Sequence, residues 1–233
     1  MARPRRIGRC VHCLLDGQEL TDDHIFPVSW YPENAPPDLE RWKAPSCRPC
    51  NAALGKMEAD FLMRLALCVN PQAATTAGIV QRALRAMDPE AGRNLSDQQA
   101  RAALRRKIDR EVQLVPSEAR VLKPFSEKWG RPPEEQFGIH VPGDYLRRLG
   151  EKMARGIHFM DGGQFIELPL RIRVGTDIDG APPDTLRMVR EQGRVYAIEP
   201  GIVVRRLVPP EAPAVSLLEI QVWGLWSLWV TVS

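Results

Sequence analysis

The chain has 233 residues, which is enough for one large domain or two small ones with a buried core. Its hydrophobic share of 44% and charged share of 26% are ordinary for a soluble globular protein, and its net charge of +3 excludes a polycation. No stretch approaches the roughly 20 apolar residues of a membrane span, and no apolar segment follows the basic N-terminus as in a secretory signal. We therefore expect a cytoplasmic protein.

The positive charge is concentrated in the middle of the chain. Residues 1–60 carry 8 Lys and Arg against 9 Asp and Glu, residues 61–135 carry 13 against 9, and residues 136–233 carry 11 against 11. The middle segment therefore has an excess of four positive charges. It is where we expect the chain to meet a phosphate backbone, if it binds nucleic acid.

Four of the five cysteines form two Cys-x-x-Cys pairs, Cys10 with Cys13 and Cys47 with Cys50. Two such pairs are typical of a zinc site, because four thiolates held two by two close a tetrahedron around the ion. A closed site has no open coordination position, so the pattern predicts a structural Zn²⁺. Cysteines used in this way also fit a reducing compartment, and Cys68 lies apart from them in an apolar run.

A short strand and a long loop are predicted between the two cysteine pairs. The basic arm 1–9, interpreted either as a solvated terminus or as a DNA contact, leads into the first pair. Asp16-Gly17 predicts a hairpin turn within Leu14–Leu20. A strand is then predicted over Thr21–Pro27, because proline leaves the hydrogen-bonded ladder. Ser29–Pro45 is rich in proline and is predicted to be a loop.

Three helices and a linker are predicted after the second cysteine pair. Apolar residues spaced three and four apart predict a helix over Asn51–Val69. A second helix is predicted over Thr75–Met87, and a third over Leu95–Val112, starting at Ser96 or Asp97. Residues 113–135 hold several prolines and predict a linker.

The last hundred residues differ in character from the first half. A helix beginning near Val141 is predicted to end at Arg155, where Gly156 follows. Strand-like runs come next, over Gln164–Val174, Arg194–Ile198, Ile202–Leu207 and Ser216–Val232. The sequence therefore predicts an α+β fold with a mostly antiparallel C-terminal sheet. The predicted divisions are residues 1–70, 71–135 and 136–233.

The segment Asp23-His24-Ile25-Phe26-Pro27 lies between the two cysteine pairs, and Asn51 directly follows the last cysteine. Together these features resemble the HNH endonucleases, the ββα-metal or His-Me finger family. The resemblance covers roughly the first quarter of the chain. It implies an N-terminal ββα-metal finger with structural zinc, and a metal-dependent hydrolysis of phosphodiester bonds, in DNA rather than RNA.

The resemblance also implies roles for three residues. His24 would be the general base that deprotonates a water molecule, which suits an imidazole because its ordinary pKa lies near neutrality. Asp23 and Asn51 would be ligands of a catalytic metal, and two oxygen ligands favour Mg²⁺ first and Mn²⁺ second. Neighbouring strand side chains point to opposite faces, so Asp23 and His24 can face the site together only if the strand twists or bulges. Asp22 stays open as an alternative to Asp23, and helix N-capping as an alternative role for Asn51.

The chain departs from the family pattern at two positions. Some relatives have a further ligand four residues after the Asn, where this chain has Gly55, and Glu58 on the same helix face is a weak substitute. The middle Asn of the motif is replaced by Trp42, with Asn34 as the nearest alternative. In the family that Asn braces the metal loop. Its absence supports a second hypothesis, a zinc-stabilised nucleic-acid-binding module without cleavage activity.

Several residues outside the motif have two interpretations each. His12 is expected to be exposed or to lie behind the metal ligands. The basic residues of the third predicted helix either contact nucleic-acid phosphates or are simply solvated. Three tryptophans in an apolar C-terminal segment are expected to pack in the core, or on a homodimer or partner surface, rather than against bases. A protein-interaction domain with an incidental zinc fold is the third hypothesis. The arginines are Arg101, Arg105 and Arg106, and the tryptophans are Trp223, Trp226 and Trp229.

Overall fold

The computed structural model describes residues 6–39, 41–114, 137–167, 172–176, 183–199 and 201–233. Within these ranges the chain forms five α-helices and three antiparallel sheets, in agreement with the predicted α+β class. Each helix in the described part of the chain is too short or too polar to cross a lipid bilayer.

The N-terminal sheet consists of three short antiparallel strands in the order β1-β2-β3. The strands are β1 (Arg6–Gly8), β2 (Gln18–His24) and β3 (Lys43–Cys47), and helix α1 (Arg48–Ala66) follows β3 directly. Pro45 lies inside β3, which the sequence assigned to a loop. The strand accepts this proline because β3 is at the edge of the sheet.

Strand β2 and helix α1 both begin earlier than predicted. The hairpin turn at Gly17, with φ of 68°, lets the strand start at Gln18, and Pro27 leads into a 3-10 turn over Val28–Trp30 instead of ending a strand. Helix α1 starts at Arg48 because Pro49 fits the first turn, where a backbone N–H has no partner to lose. Its N-cap is Cys47. Asn51 therefore lies inside the helix, and its alternative role as N-cap is wrong.

The middle segment contains helices α2 (Ile79–Met87) and α3 (Leu95–Glu111), with 3-10 turns over Ala74–Thr76 and Pro89–Ala91. Helix α2 begins later than predicted because Gly78, with φ of 74°, precedes it. The N-cap of α3 is Asn94, whose side chain accepts a hydrogen bond from the Asp97 N–H at 3.0 Å. Strand β4 (Val112–Leu114) pairs with β5 (Phe137–Ile139), and residues 115–135 of the predicted linker lie outside the described residues.

The C-terminal sheet has five antiparallel strands in the order β6-β10-β9-β8-β7. Its elements are α4 (Gly143–Gly162), β6 (Ile172–Thr176), α5 (Pro183–Gln192), β7 (Arg194–Glu199), β8 (Ile202–Leu207), β9 (Ser216–Val222) and β10 (Trp226–Val232). The predicted strand over Gln164–Val174 is wrong at its start, since β6 begins at Ile172. The predicted run Ser216–Val232 is a hairpin, because Trp223 and Gly224 both have positive φ and turn the chain.

Helix α4 continues through Gly156, where the sequence predicted its end. Gly156 is buried, and a Cβ atom at this position would lie 2.7 Å from Cγ1 of Ile25. Ile25 directly follows the last residue of β2. The glycine is therefore a close-contact position that brings α4 against the N-terminal sheet, and it does not cap the helix.

The C-terminal sheet lies between two helices, and its side chains alternate between them. Eight even-numbered apolar residues of β8, β9 and β10 join the main core with α4; these are Ile202, Val204, Leu218, Ile220, Val222, Leu228, Val230 and Val232. On the other face, Leu207 and Trp229 pack with Val189 of α5. The main core also contains Trp30, Phe61 and Ile79, so the three predicted divisions of the chain share one hydrophobic core.

Two of the three C-terminal tryptophans are buried, as expected. Trp223 is 1% exposed and packs 5.9 Å from Trp30, ring centre to ring centre. Its Nε1–H donates a hydrogen bond to the Trp30 carbonyl at 2.8 Å. Trp229 is buried on the opposite face, under the guanidinium of Arg190. The side chain of Trp226 lies outside the described part of the structure.

Candidate functional site

The four paired cysteines converge on one point and are positioned to hold a metal ion. Their sulfur atoms all lie within 4.8 Å of one another, and the Sγ atoms of Cys13 and Cys47 are 3.9 Å apart. Zinc–sulfur bonds of about 2.3 Å place the corners of a tetrahedron about 3.8 Å apart. The cluster therefore has the dimensions of a structural zinc site.

The electrostatics of the thiols also favour a bound cation. Burial alone would raise the pKa of Cys10, but the backbone N–H groups of Cys13, Cys47 and His12 lower it to about 7. Burial and the neighbouring sulfur atoms raise the pKa of Cys50. Four thiolates cannot coexist at this distance without a compensating positive charge, which a metal ion supplies.

A cleft of about 340 Å³ opens beside the cysteine cluster, between the end of β2 and the first turns of α1. Asp23, His24 and Asn51, the three residues predicted for the site, all line this cleft. Strand and helix contribute to the same wall because β3, which pairs with β2, continues directly into α1. The structure therefore brings Asn51 to the same cleft as Asp23 and His24, which precede it by 28 and 27 positions.

His24 is the last residue of β2 and is half-buried at the cleft wall. Burial lowers the pKa of His24, the positive charge of Lys43 lowers it further, and Asp23 partly opposes the change. The imidazole is therefore neutral at neutral pH. A neutral ring nitrogen can accept a proton from water, which is the state that a general base requires.

Asn51 is held in a defined orientation by two hydrogen bonds in series. The Thr21 hydroxyl donates to the Ser46 carbonyl at 3.0 Å, so it has to accept the hydrogen bond that joins it to Asn51. That bond comes from the Asn51 Nδ2 at 2.9 Å. The amide nitrogen is thereby committed to Thr21. The Asn51 Oδ1, a hard oxygen donor suited to a divalent cation, is on the other side of the amide.

Asp23 is buried, and each of its carboxylate oxygens has a partner. His12 Nε2 lies 2.8 Å from Oδ2, and Lys152 Nζ lies 3.0 Å from Oδ1. Burial would raise the pKa of Asp23, but the hydrogen bond with His12 and the charge of Lys152 hold it below its ordinary value. Asp23 is therefore ionised. His12, half-buried, lies behind Asp23 and outside the cysteine cluster.

Lys152 connects Asp23 to a second buried acid, Glu58. The Lys152 ammonium is 2% exposed and also contacts the carboxylate of Glu58, which is 7% exposed and lines the cleft. Burial raises the pKa of Glu58, Lys152 opposes this rise and Asp23 adds to it. We refer to His12, Asp23, Glu58 and Lys152 as the buried charge cluster.

The sequence contained a signal for Lys152 that the motif did not use. Lys152 lies three residues after Leu149 and four before Gly156, on the apolar face of α4. A charged residue on such a face needs a buried partner. The partners could not be identified from the sequence, because Asp23 is 129 positions away.

The alternative residues named from the sequence occupy distinct places. Asp22 also borders the cleft, but its Oδ1 is paired with Arg6 at 2.7 Å on the exposed side of the sheet. Asn34 donates to the Ala74 carbonyl at 3.2 Å and does not line the cleft. Trp42, which stands in place of the middle Asn, accepts a hydrogen bond from the Ile25 N–H through its carbonyl at 3.0 Å.

The three arginines of α3 differ in their availability. Arg101 is paired with Asp97 at 3.1 Å and donates to the Arg85 carbonyl at the end of α2, so it is engaged within the helical segment. Arg105 is largely exposed, with Asp109 at 3.9 Å. Arg106 is exposed and borders a shallow depression on α3.

Comparison with known proteins adds no relative. No protein-family model, no curated protein and no solved structure matches the chain. The resemblance to the HNH endonucleases therefore depends on the motif residues described above.

Proposed function

We propose that this chain is a metal-dependent endonuclease of the HNH type that hydrolyses phosphodiester bonds in DNA rather than RNA. The observation that carries the proposal is the convergence of His24, Asp23 and Asn51 on one cleft beside a four-cysteine cluster. Two antiparallel strands followed by a helix, β2-β3-α1, support a ββα-metal finger as the framework of this site.

A structural Zn²⁺ is part of the proposal. Cys10 and Cys13 come from the loop between β1 and β2, Cys47 ends β3, and Cys50 lies in the first turn of α1. An ion bound to all four sulfur atoms ties that loop to the strand–helix junction. The same junction places Asn51 opposite Thr21 of β2, so the zinc would fix the geometry of the cleft without entering the reaction.

In the proposed reaction His24 takes a proton from a water molecule as the water oxygen bonds to phosphorus and the 3′ oxygen leaves with its electron pair. Asp23 and Asn51 would hold a divalent cation, Mg²⁺ or Mn²⁺, which supplies charge stabilisation at the phosphate and the leaving oxygen when bound. The depressed pKa of His24 keeps the base unprotonated at neutral pH. The two oxygen ligands approach the cleft from different elements, β2 and α1.

A second candidate function is nucleic-acid binding without cleavage. It is favoured by Trp42 in place of the middle Asn, and by the hydrogen bonds that already occupy both carboxylate oxygens of Asp23. Under this hypothesis the cleft would bind phosphate without hydrolysing it. If the chain cleaves nucleic acid, substitution of His24 lowers the rate of cleavage. If it only binds nucleic acid, there is no cleavage for the substitution to affect.

The decisive experiment compares wild type with His24→Ala in a plasmid-nicking assay with Mg²⁺. Loss of a general base is expected to lower cleavage at least about a hundredfold, while DNA affinity stays nearly unchanged. His140→Ala is the matched control, because His140 is exposed and lies outside the cleft. Cleavage by His24→Ala within a few-fold of wild type would overturn the assignment of the base.

The metal ligands have a different signature. Asn51→Ala and Asp23→Asn are expected to lower cleavage in a way that additional Mg²⁺ or Mn²⁺ partly restores, because each removes metal affinity before it affects the base. Zn²⁺ is not expected to substitute well. If Asp22→Ala shows this metal-dependent loss and Asp23→Asn does not, the ligand is Asp22.

A further inference from the structure

Lys152 occupies an unusual position for a lysine. Its ammonium is almost completely buried, and it bridges two acids that belong to different elements, Asp23 on β2 and Glu58 on α1. A buried ammonium is strongly unfavourable unless it is paired, and here the pairing is double. The lysine comes from α4, far along the chain from either acid.

The two acids and the lysine differ in their access to the cleft. Asp23 and Glu58 both line the cleft, whereas Lys152 does not. The ammonium therefore contacts the two carboxylates from the interior side of the cleft wall. His12, which does not line the cleft either, contacts the second oxygen of Asp23 at 2.8 Å.

We infer that Lys152 is a positioning residue of the active site, whose ammonium holds Asp23 and Glu58 side by side at the cleft wall. This inference rests on the proposed nuclease function. It makes α4 a component of the site, although the motif residues all lie before Ala66. It also assigns Glu58 a role, as the second acid that fixes the ammonium.

Removal of the Lys152 charge has two consequences that can be measured separately. Asp23 loses the contact that sets its position relative to His24, so the rate of cleavage falls even when metal is saturating. The two acids also lose their internal positive charge, so a divalent cation in the cleft meets a more negative wall and binds more tightly. A residue that serves only the fold would produce neither tighter metal binding nor a rate loss beyond the loss of folded protein.

The experiment uses the full-length, zinc-loaded chain and the variant Lys152→Met, which keeps the length and apolar stem of the lysine. Mn²⁺ affinity is measured by electron paramagnetic resonance, cleavage is measured at saturating Mn²⁺, and folding is followed by thermal unfolding. We expect Mn²⁺ to bind about tenfold more tightly and cleavage to fall at least about tenfold without rescue by metal. Lys107→Met is the matched control. Lys107 forms an ion pair with Asp60, with Nζ and Oδ1 2.6 Å apart, and neither residue lines the cleft. This control should change neither property.

A second variant covers the case in which Lys152→Met does not fold. Lys152→Met/Glu58→Gln removes one positive and one negative charge, so the cluster keeps its charge balance. We expect this variant to be folded, to bind Mn²⁺ about as tightly as wild type, and to cleave slowly. A double variant that also fails to fold would show that the lysine serves the fold alone and would overturn the inference.

Failure of the inference and failure of the proposed function are distinguishable. If wild type cleaves no nucleic acid, the nuclease function is wrong, and the Mn²⁺ titration still decides whether Lys152 sets the charge of the cleft. If wild type cleaves and folded Lys152→Met cleaves equally fast at saturating Mn²⁺, or binds Mn²⁺ no more tightly, Lys152 is not a positioning residue.

Discussion

The N-terminal and C-terminal sheets are stabilised in different ways. The N-terminal sheet has strands of 3, 7 and 5 residues, and the central one, with the sequence QELTDDH, contributes a single apolar side chain. In the C-terminal sheet, by contrast, five apolar residues on the α4 side of β8 and β9 are fully buried: Ile202, Val204, Leu218, Ile220 and Val222. The large sheet is stabilised by its own apolar burial. The small one has too little apolar surface of its own and depends on the cysteine cluster and on its neighbours.

The N-terminal region that contains the small sheet meets the C-terminal region through contacts of three kinds, which involve α4 and the β9–β10 turn. There is an aromatic contact between Trp30 and Trp223, a close approach of Ile25 to Gly156, and the ion pair of Asp23 with Lys152. In each pair the first residue belongs to the N-terminal half, and Ile25 and Asp23 flank His24. The N-terminal region, which contains the motif, is therefore positioned by its contacts with α4 and the C-terminal core.

The largest effect is expected from breaking the metal cluster. Structural zinc sites of this kind contribute on the order of 10 kcal/mol to folding. Cys47→Ser should therefore give insoluble or partly unfolded protein that has lost its zinc, rather than a folded protein without activity. Elemental analysis and tryptophan fluorescence measure the two properties.

Cys68→Ser is the control for this substitution. Cys68 lies just after the C-terminal end of α1, whereas the cluster is at its N-terminal end. Its thiol donates to the Arg64 carbonyl, which a serine hydroxyl can also do. This variant should keep one zinc per chain and nearly the wild-type melting temperature. A folded Cys47→Ser protein with full zinc content would contradict the assignment of the cluster.

The next effect concerns the contact between α4 and the N-terminal sheet. Gly156→Val should destabilise the protein by about 1–3 kcal/mol, because the new side chain meets Ile25 in a filled core. It should also lower activity, since Ile25 has to move and directly follows His24. Thermal unfolding measures the first effect. Gly143→Ala, at an exposed position of the same helix with open space around it, should lie within about 0.5 kcal/mol of wild type.

How far the sequence predicts the structure depends on the range of the interactions. The cysteine pairs, Asp23, His24 and Asn51 could be found because the motif lies within 42 consecutive positions, from Cys10 to Asn51, and its chemistry is local. The same locality explains why α1, α2 and α3 were placed to within a few residues. Gly156 was misinterpreted as a helix end because its partner, Ile25, is distant in sequence.

The buried charge cluster could not be predicted for the same reason. The sequence shows no partner for His12, and it indicates only that Lys152 needs one; their common partner, Asp23, is identified by the tertiary contacts. The hairpin at Trp223 was hidden by a continuous apolar run, since nothing in a pattern of apolar residues marks a non-glycine residue with positive φ. Tertiary packing decided both cases.

A smaller effect is expected from acid. Burial and the charge of Arg206 lower the pKa of His158, on α4, to about 4, while Asp161 opposes this change. The folded state therefore disfavours the protonated ring. The stability due to this shift is fully present above the ordinary histidine pKa near 6.5, and it is lost as the pH falls from about 6.5 to 4.

His158→Asn should reduce this dependence on acid. The difference in melting temperature between pH 7.5 and pH 5 is expected to be smaller in the variant than in wild type. His140→Asn, at an exposed position, should retain the wild-type difference. Equal differences in melting temperature in wild type and both variants would show that protonation of His158 does not contribute to the loss of stability in acid.

The smallest effect is expected on the surface of α3. Arg105→Glu/Arg106→Glu should weaken DNA binding about equally for all sequences. It should also flatten the salt dependence by close to one unit in the slope of log K against log salt for each lost phosphate contact. Arg101 is left unchanged because it is engaged with Asp97 and α2. Binding curves of the variant that coincide with those of wild type at both low and high salt would show that this surface does not contact DNA.

Arg187→Glu provides the control for that pair. Arg187 is exposed on α5, next to Asp184, on the face of the C-terminal sheet opposite α4. Its reversal should leave the salt slope unchanged if α3 contacts the phosphates. The rate of the chemical step at saturating DNA should stay the same in both variants, since His24 lies on a separate element.

The ion pair of Asp23 with Lys152 also determines the order in which the parts of the site can form during synthesis of the chain. The two residues are 129 positions apart, and a ribosome adding roughly 5–20 residues per second needs roughly 6–26 s to reach the second after the first. During that interval all four cysteines of the cluster have been made, while Asp23 and Glu58 still lack their ammonium. We therefore expect the nascent chain to bind a metal ion at its four cysteines first and to complete the cleft only after α4 has emerged.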